Sequence, residues 1–349
     1  MTDKIDIYSY LPEELTEYFA TLGEPKFRAK QTFPRLALGY KISEITSLSK
    51  PLRDRIEQEI IDTVPTVAEK LVSKIDGTVK YLFRLHDGAY IESVLMKYKH
   101  GNTLCISSQV GCRMGCKFCA STIGGKERDL LPSELLGQIS AAQRDSGERV
   151  SNIVMMGIGE PLDNFDNVVK FLRLVNHPDG LNIGYRHISL STCGVVDGID
   201  KLSQIDIPIT LSISLHASDD KKRSEIMPVN NKWNIDALLR ACVRYYKVTG
   251  RRISFEYTLI SGKNDTEDDA RALAVLLTNA FRGTGAPIHV NLIRVNEVKE
   301  TGFKKGTAEQ VNAFAAVLEK QGIVATVRRR LGADVNAACG QLRKNNIEK

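Results

Sequence analysis

Cys112, Cys116 and Cys119 stand four and then three residues apart in the glycine-containing stretch Cys112-Arg113-Met114-Gly115-Cys116-Lys117-Phe118-Cys119. Thiolates this close together are ligands for a soft metal centre, and zinc and iron–sulfur clusters are the centres that suit them. A structural zinc site wants a fourth ligand, normally from a second short-spaced pair of Cys or His. The sequence has no such pair. Three thiolates fit better with a four-iron cluster whose fourth iron stays open for a substrate or cofactor.

Further chemistry-bearing residues recur at the ends of apolar runs. They are Gly157-Ile158-Gly159-Glu160-Pro161, Ser191-Thr192-Cys193-Gly194, Ser214-Leu215-His216-Ala217 and the run Asn291 to Asn296, interrupted by Arg294. Each is weak alone, since Gly-x-Gly is common in turns and a lone His is usually structural. Their shared placement is the stronger signal. An open iron ringed by glycine, carboxylate and hydroxyl groups suits a cofactor with an amino-acid end and a nucleoside end, such as S-adenosylmethionine. On residues alone, Cys105, Cys193, Cys242 and Cys339 read as buried structural thiols, and Glu92 as a carboxylate on the wet face of an alternating strand.

The elements that must position these residues follow from periodicity. Apolar strands are expected over 103–107, 152–156, 187–191, 209–215, 253–260 and 288–293, with helices over 132–144, 164–175, 198–204, 235–248 and 267–281. Six strands alternating with helices predict an α/β fold, a parallel sheet forming a partial (βα)6 barrel of the TIM type or an open doubly wound sheet. In such folds functional groups collect in the loops after the strands. Residues 1–65 read as short helices in which Lys26, Arg28, Lys30 and Arg35 interleave with Phe27, Phe33 and Tyr40, either a nucleic-acid-binding head or a solvated face. Residues 66–101 read as a hairpin-like β extension with turns at Asp76-Gly77 and Asp87-Gly88, 102–296 as the partial barrel, and 297–349 as a C-terminal extension. That extension holds a helix over 307–320, a strand over 323–327 and the triplet Arg328-Arg329-Arg330.

Composition bounds the rest. The chain has 349 residues, 42% of them apolar, a net charge of +6 and a pI near 8.8, which permits an anionic partner without requiring one. No run approaches the roughly 18 apolar residues of a membrane span. The N-terminus lacks a basic segment followed by an apolar core, and the seven Cys are irregularly spread, so a cytoplasmic location is expected.

Several motifs in this order resemble one family. Cys105-Ile106-Ser107-Ser108-Gln109-Val110-Gly111-Cys112, Phe118-Cys119-Ala120-Ser121-Thr122, Met156-Gly157-Ile158-Gly159-Glu160-Pro161-Leu162, Leu190-Ser191-Thr192, Ser214-Leu215-His216-Ala217, His289-Val290-Asn291-Leu292-Ile293 and Ala338-Cys339-Gly340-Gln341-Leu342 are similar to the RlmN/Cfr family of radical S-adenosylmethionine RNA adenine methyltransferases. The resemblance implies a [4Fe-4S] cluster on Cys112, Cys116 and Cys119. It implies S-adenosylmethionine contacts from Gly159, Glu160, Ser191, Ser214, Leu215, His216 and Asn296, with Asn291 a nearby competitor for the last. It further implies Cys339 as the methyl-acceptor thiol, Cys105 as its partner in a transient disulfide, and Glu92 as a proton acceptor. Two S-adenosylmethionine molecules are then used, through a methylated cysteine and a covalent enzyme–RNA adduct. The implied partners are 23S rRNA and tRNA, and an electron donor such as flavodoxin or ferredoxin, with the enzyme a monomer. Gly332-Ala333-Asp334-Val335-Asn336-Ala337-Ala338-Cys339 and Thr122-Ile123-Gly124-Gly125 look like the group that methylates carbon 2 of adenine; the alternative is carbon 8 methylation, which confers antibiotic resistance on the ribosome.

Overall fold

The computed structural model describes residues 4–297 and 302–335. The chain opens with three helices, α1 (Pro12–Thr21), α2 (Phe27–Ala37) and α3 (Lys50–Glu59). Gly23 and Gly39, both at positive φ, end the first two. Helix α2 turns Ala29, Thr32, Phe33, Leu36 and Ala37 inward and leaves its basic side outside.

The strands β1 (Thr66–Val72), β2 (Val79–Arg84) and β3 (Tyr90–Met96) follow as an antiparallel meander, and β4 (Asn102–Cys105) pairs antiparallel with β3. A small antiparallel pair, β5 (Gln109–Gly111) with β6 (Lys126–Asp129), brackets the three-cysteine loop. The strand–helix rhythm then runs through α4 (Pro132–Ser146), β7 (Val150–Met155), α5 (Phe165–Asn176), β8 (Ile188–Thr192), α6 (Val196–Ser203), β9 (Thr210–Ser214), α7 (Asp220–Ile226), α8 (Ile235–Thr249), β10 (Ile253–Leu259), α9 (Glu267–Ala280), β11 (His289–Arg294), α10 (Ala308–Lys320) and β12 (Val324–Val327).

Pairing runs β1-β2-β3-β4-β7-β8-β9-β10-β11-β12, and from β4 onward every pairing is parallel. The α/β class and the parallel sheet with crossover helices are therefore as expected. The short strand expected at 323–327 extends the sheet as its seventh parallel strand. The β5–β6 brace was not foreseen, because strands of three and four residues are too short to show a period.

One apolar core spans both the sheet and the N-terminal helices, taking in Leu15, Phe19, Phe33 and Leu36 together with Leu104, Ile153, Leu190, Leu211, Phe255 and Val290. The head is pinned to α4 and α5 by Ser133 Oγ donating to Asp6 (2.7 Å), Lys170–Glu14 (2.7 Å) and Phe33 edge-on to His177 (4.7 Å). Arg144 lies over the Tyr40 ring (4.9 Å).

The strands alternate more than a doubly covered parallel sheet should. In β10, Ile253, Phe255, Tyr257 and Leu259 join the outer core, whereas Ser254, Glu256 and Thr258 point the other way and are buried too. Ser189 bonded to Ser212 (3.0 Å) and Ser254 to His289 (2.8 Å) share that inner face, so the half-barrel has a polar lumen. Among the described residues no helix is long and apolar enough to cross a membrane.

Candidate active site

The C-terminal strand ends open into a cleft of about 630 Å³. Cys105, Cys112, Cys116, Cys119, Gly159, Glu160, Ser191, Ser214, His216 and Asn296 all line it. Five sequence-distant segments thus converge where strand-end loops of this fold class meet. Two candidates stand just outside. Leu215 turns into the core, its N–H donating to Glu256 O (3.1 Å). Glu92 shares a strand face with Val94 and Met96, which line the cleft, but lies one step behind them. Cys339 lies outside the described residues.

Packing fixes the cysteine loop. A Cβ on Gly111 (φ +78°) would sit 2.0 Å from Gly125 O, so only glycine lets the two backbones meet there. Cys112 N–H donates to Gly125 O and Lys117 N–H to Ile226 O, both at 2.9 Å. Asp163 accepts from Arg113, Gln109 (2.9 Å) and Lys126 (3.1 Å), tying the loop to the turn Pro161–Asn164 between β7 and α5. Gly159, at φ +108°, is held equally close to the protein itself: a Cβ there would lie 2.8 Å from Gln109 N.

The electrostatics suit a metal centre. Burial, then the neighbouring Cys119, pushes the Cys112 thiol up to about 12, and burial with the neighbouring sulfurs pushes Cys116 up as well. Thiolates in this position need a cationic partner, which iron supplies and solvent does not. The donor set, three soft thiols on one wall of a cleft this size, therefore fits an iron–sulfur cluster. Among the described residues no three His, Cys, Asp or Glu gather about the position of a single ion.

Glu160 is buried and accepts from Cys193 N–H (2.7 Å) and Leu162 N–H (3.0 Å), yet burial still raises its pKa. It lines the cleft.

His216 adopts φ +59°, unusual for a residue with a Cβ. Its Nδ1 accepts from Thr258 N–H (2.9 Å), so Nε2 carries the hydrogen and the ring is a fixed donor. Burial, then Arg223, lowers its pKa from 6.5 to about 3. The folded pKa is depressed, so this stability is whole above about pH 6.5 and is lost as pH falls toward 3. At about 1.4 kcal/mol per unit, the loss reaches about 2 kcal/mol at pH 5. Denaturant unfolding of His216→Gln should show a correspondingly shallower fall in stability between about pH 7 and pH 5 than the parent.

Two buried charges escaped the sequence reading. Arg223, 0% exposed, donates to Leu215 O (3.0 Å), Cys193 O (2.7 Å), Ser214 O (3.1 Å) and Asn230 Oδ1 (2.9 Å), locking the loops after β8 and β9 together. It ends the run Asp219-Asp220-Lys221-Lys222-Arg223, which reads as a solvated face. Lys80, 1% exposed, pairs with Glu92 at 3.2 Å. The wet-face expectation for Glu92 is thereby corrected, since the strand is covered on both sides and the carboxylate is 3% exposed. Cys193, read as structural, lines the cleft; Cys242 is fully buried in α8. Exposed Arg294, Lys305 and Arg328 to Arg330 ring the mouth.

Residues 106–274 match the model of the Radical SAM superfamily. The chain is 51% identical, over 99% of its length and 97% of the relative's, to the "Probable dual-specificity RNA methyltransferase RlmN" of Alkaliphilus metalliredigens. Proteins of the same name from Lachnoclostridium phytofermentans and Clostridium acetobutylicum are each 50% identical, over 100% and 99% of this chain and 97% and 98% of theirs. Among solved structures, a radical SAM methyltransferase from Sphaerobacter thermophilus superposes with a TM-score of 0.90 at 39% identity, covering 97% of this chain and 98% of that one. The half-barrel, the cysteine loop and these full-length likenesses agree, and the chain belongs to the RlmN family of radical SAM methyltransferases.

Proposed function

We propose that this enzyme methylates carbon 2 of an adenine in 23S rRNA, and in tRNA, using S-adenosylmethionine and a [4Fe-4S] cluster. The observation that carries this reading is the convergence of Cys105, the three loop cysteines and the strand-end polar groups on one cleft. Cys112, Cys116 and Cys119 would hold the cluster, and Gly159, Glu160, Ser191, Ser214, His216 and Asn296 would receive the cofactor, Leu215 fixing the backbone between its neighbours. Asn296 is better placed than Asn291, which is engaged with Glu256 (2.7 Å). When bound, cluster and cofactor supply a transferable methyl group and one-electron chemistry that reaches an unreactive ring carbon.

The chain's own residues do the rest. Cys339 would accept the methyl group and Cys105 would release the product. Glu92, paired with Lys80 behind the cleft wall, would take the proton from the ring carbon. A flavodoxin- or ferredoxin-like donor would supply electrons. The basic mouth and the 1–65 head, where Arg28 lies over exposed Phe27 (5.1 Å), would hold RNA. On this reading 66–101 is a β extension, 102–296 the catalytic half-barrel and 297–349 the segment that delivers Cys339, in a monomer acting in the cytoplasm. The test is anaerobic reconstitution, incubation with unmodified 23S rRNA and tRNA, and mass spectrometry of the adenosines. 2-Methyladenosine is expected; no methylation under reducing conditions would sink the reading, and 8-methyladenosine would reverse the regiochemistry.

A further inference from the structure

The motif His289-Val290-Asn291 is left without a task by the cofactor site, and the structure places it in a closed circuit below the cleft. Glu256 is 4% exposed and lines the cleft floor. Its Oε1 faces Ser254 Oγ at 3.3 Å, and Ser254 Oγ lies 2.8 Å from His289 Nδ1. His289 Nε2 lies 3.1 Å from Thr326 Oγ1, which is 3.2 Å from Asn291 Oδ1. Asn291 Nδ2 donates to Glu256 Oε2 at 2.7 Å and closes the ring. His289 is partly exposed and Thr326 exposed, so the circuit joins the cleft floor to the open edge of the barrel.

The hydrogens of this ring can be counted. Asn291 donates to Glu256, so its oxygen accepts from Thr326, and Thr326 must then accept from His289 Nε2–H. Two arrangements satisfy what remains. In one, Glu256 is protonated and donates to Ser254, which donates to neutral His289 Nδ1. In the other, Ser254 donates to the Glu256 carboxylate, and His289 donates from both nitrogens as imidazolium. They differ by one proton passed through Ser254: the Glu256 O–H breaks, the Ser254 O–H is replaced, and an Nδ1–H bond forms.

We propose that this ring is a proton relay that carries a proton from the cleft to solvent through Glu256, Ser254 and His289. The need for it rests on the proposed function. In that reaction, methyl transfer from the sulfonium to the Cys339 thiol breaks one S–C and one S–H bond, forms one S–C bond and releases one proton, separate from the one that Glu92 would take from the ring carbon. The carboxylate formed in the second arrangement faces the cleft and takes up a proton there, and the imidazolium formed at the barrel edge gives one to water. Arg328 and Ser212 also face the carboxyl, and Arg252 faces the imidazole. Burial raises Glu256 and lowers His289, and both shifts favour the neutral arrangement.

Nitrogen NMR of the histidine-labelled full-length protein, with His289 assigned by His289→Gln, tests the relay without substrate. In the parent, the His289 hydrogen should sit on Nε2 at low pH. As Glu256 ionises on raising the pH and the ring loses its proton, the hydrogen should move to Nδ1, with the exposed Thr326 turning its hydroxyl from Asn291 to Nε2. Glu256→Gln mimics the protonated carboxyl and should lock His289 as the Nε2–H form; Ser254→Ala keeps the carboxyl, cuts the conduit and should also uncouple the two. A tautomer that does not respond to pH in the parent, or that switches unchanged in Glu256→Gln, overturns the relay. In turnover, Glu256→Gln should lose about a hundredfold at unchanged cofactor affinity, and a variant at the parental rate across the pH range would also overturn it. Failure of the parent to methylate RNA would count against the proposed function and leave the tautomer result standing.

Discussion

Cys119→Ala is expected to abolish methylation and the visible absorption of the iron–sulfur centre while leaving the apoprotein folded. The two effects separate because the loop is held by groups other than its sulfurs. Cys119 N–H donates to Cys116 O (3.1 Å) and Thr122 Oγ1 to Cys119 O (2.9 Å), both through the main chain, which alanine keeps. The anchors Gly111–Gly125, Lys117–Ile226 and Arg113–Asp163 lie outside the replaced side chain. Stability of the metal-free protein should therefore change by no more than about 1 kcal/mol. A thiolate ligand, in contrast, is not replaced within the loop, which has three cysteines and no fourth, and the one-electron step has no second route. Activity should fall at least about a thousandfold, into the background of the assay. Iron and sulfide analysis decides the metal: near-stoichiometric zinc and no iron in the parent would restore the zinc alternative, and full activity in Cys119→Ala would remove this residue from the ligand set.

What could be read in the sequence, and what could not, divides along physical lines. Strands flanked by turns and ending in polar residues were legible because period and punctuation are local properties, and so was the convergence of Gly159, Ser191 and Ser214, which follows from fold class alone. Arg223 was hidden because a charged run on a short helix reads as solvated; only the carbonyls of Cys193, Ser214 and Leu215, brought together by the sheet, make a place for a buried guanidinium. Lys80 was hidden for the same reason, since its partner Glu92 sits on the next strand. Glu256 did leave a trace. A central parallel strand should be apolar on both sides, and the alternation Ser254, Glu256, Thr258 marks a polar lumen. His216 left none, because nothing local predicts a left-handed histidine.

The polar lumen explains the division of labour across the sheet. Stability comes from the outer face, where Leu190, Leu211, Phe255 and Val290 pack against helices in one continuous core. The inner face is thereby free to carry serine, threonine, histidine and carboxylate, each satisfied by its neighbour across the strands. Among the described residues, Val94, Met96 and Cys105 form an apolar patch apart from the main core, packed by Val154, Met156 and Leu331. It lies against the segment 331–333, which lines the same cleft and leads toward Cys339.

That patch frames the second large effect: Cys105→Ala should convert the enzyme into a covalent trap for its own RNA. On the proposed reaction, a thioether joins the base to Cys339 through the transferred carbon. Release requires the Cys105 thiolate to attack that sulfur: an S–S bond forms, the S–C bond breaks, and its electron pair goes to the carbon, which takes up a proton. The resulting disulfide is reopened by an external dithiol. Cys105 is placed for this, 5% exposed at the end of β4, paired in register with Val94 and Val154, on the cleft wall. Alanine keeps the strand and removes one sulfur from an apolar pocket, a loss of about 1 kcal/mol that leaves the fold intact. Denaturing gels should show most of the Cys105→Ala protein shifted by bound RNA after one turnover, with further product formation down at least about a hundredfold. Glu256→Gln, slowed before the adduct matures, should not accumulate it, which separates the resolving thiol from the relay. A Cys105→Ala enzyme that releases methylated RNA at the parental rate without a crosslink would assign resolution elsewhere, and Cys193, on the same cleft and 7% exposed, would be the thiol to replace next.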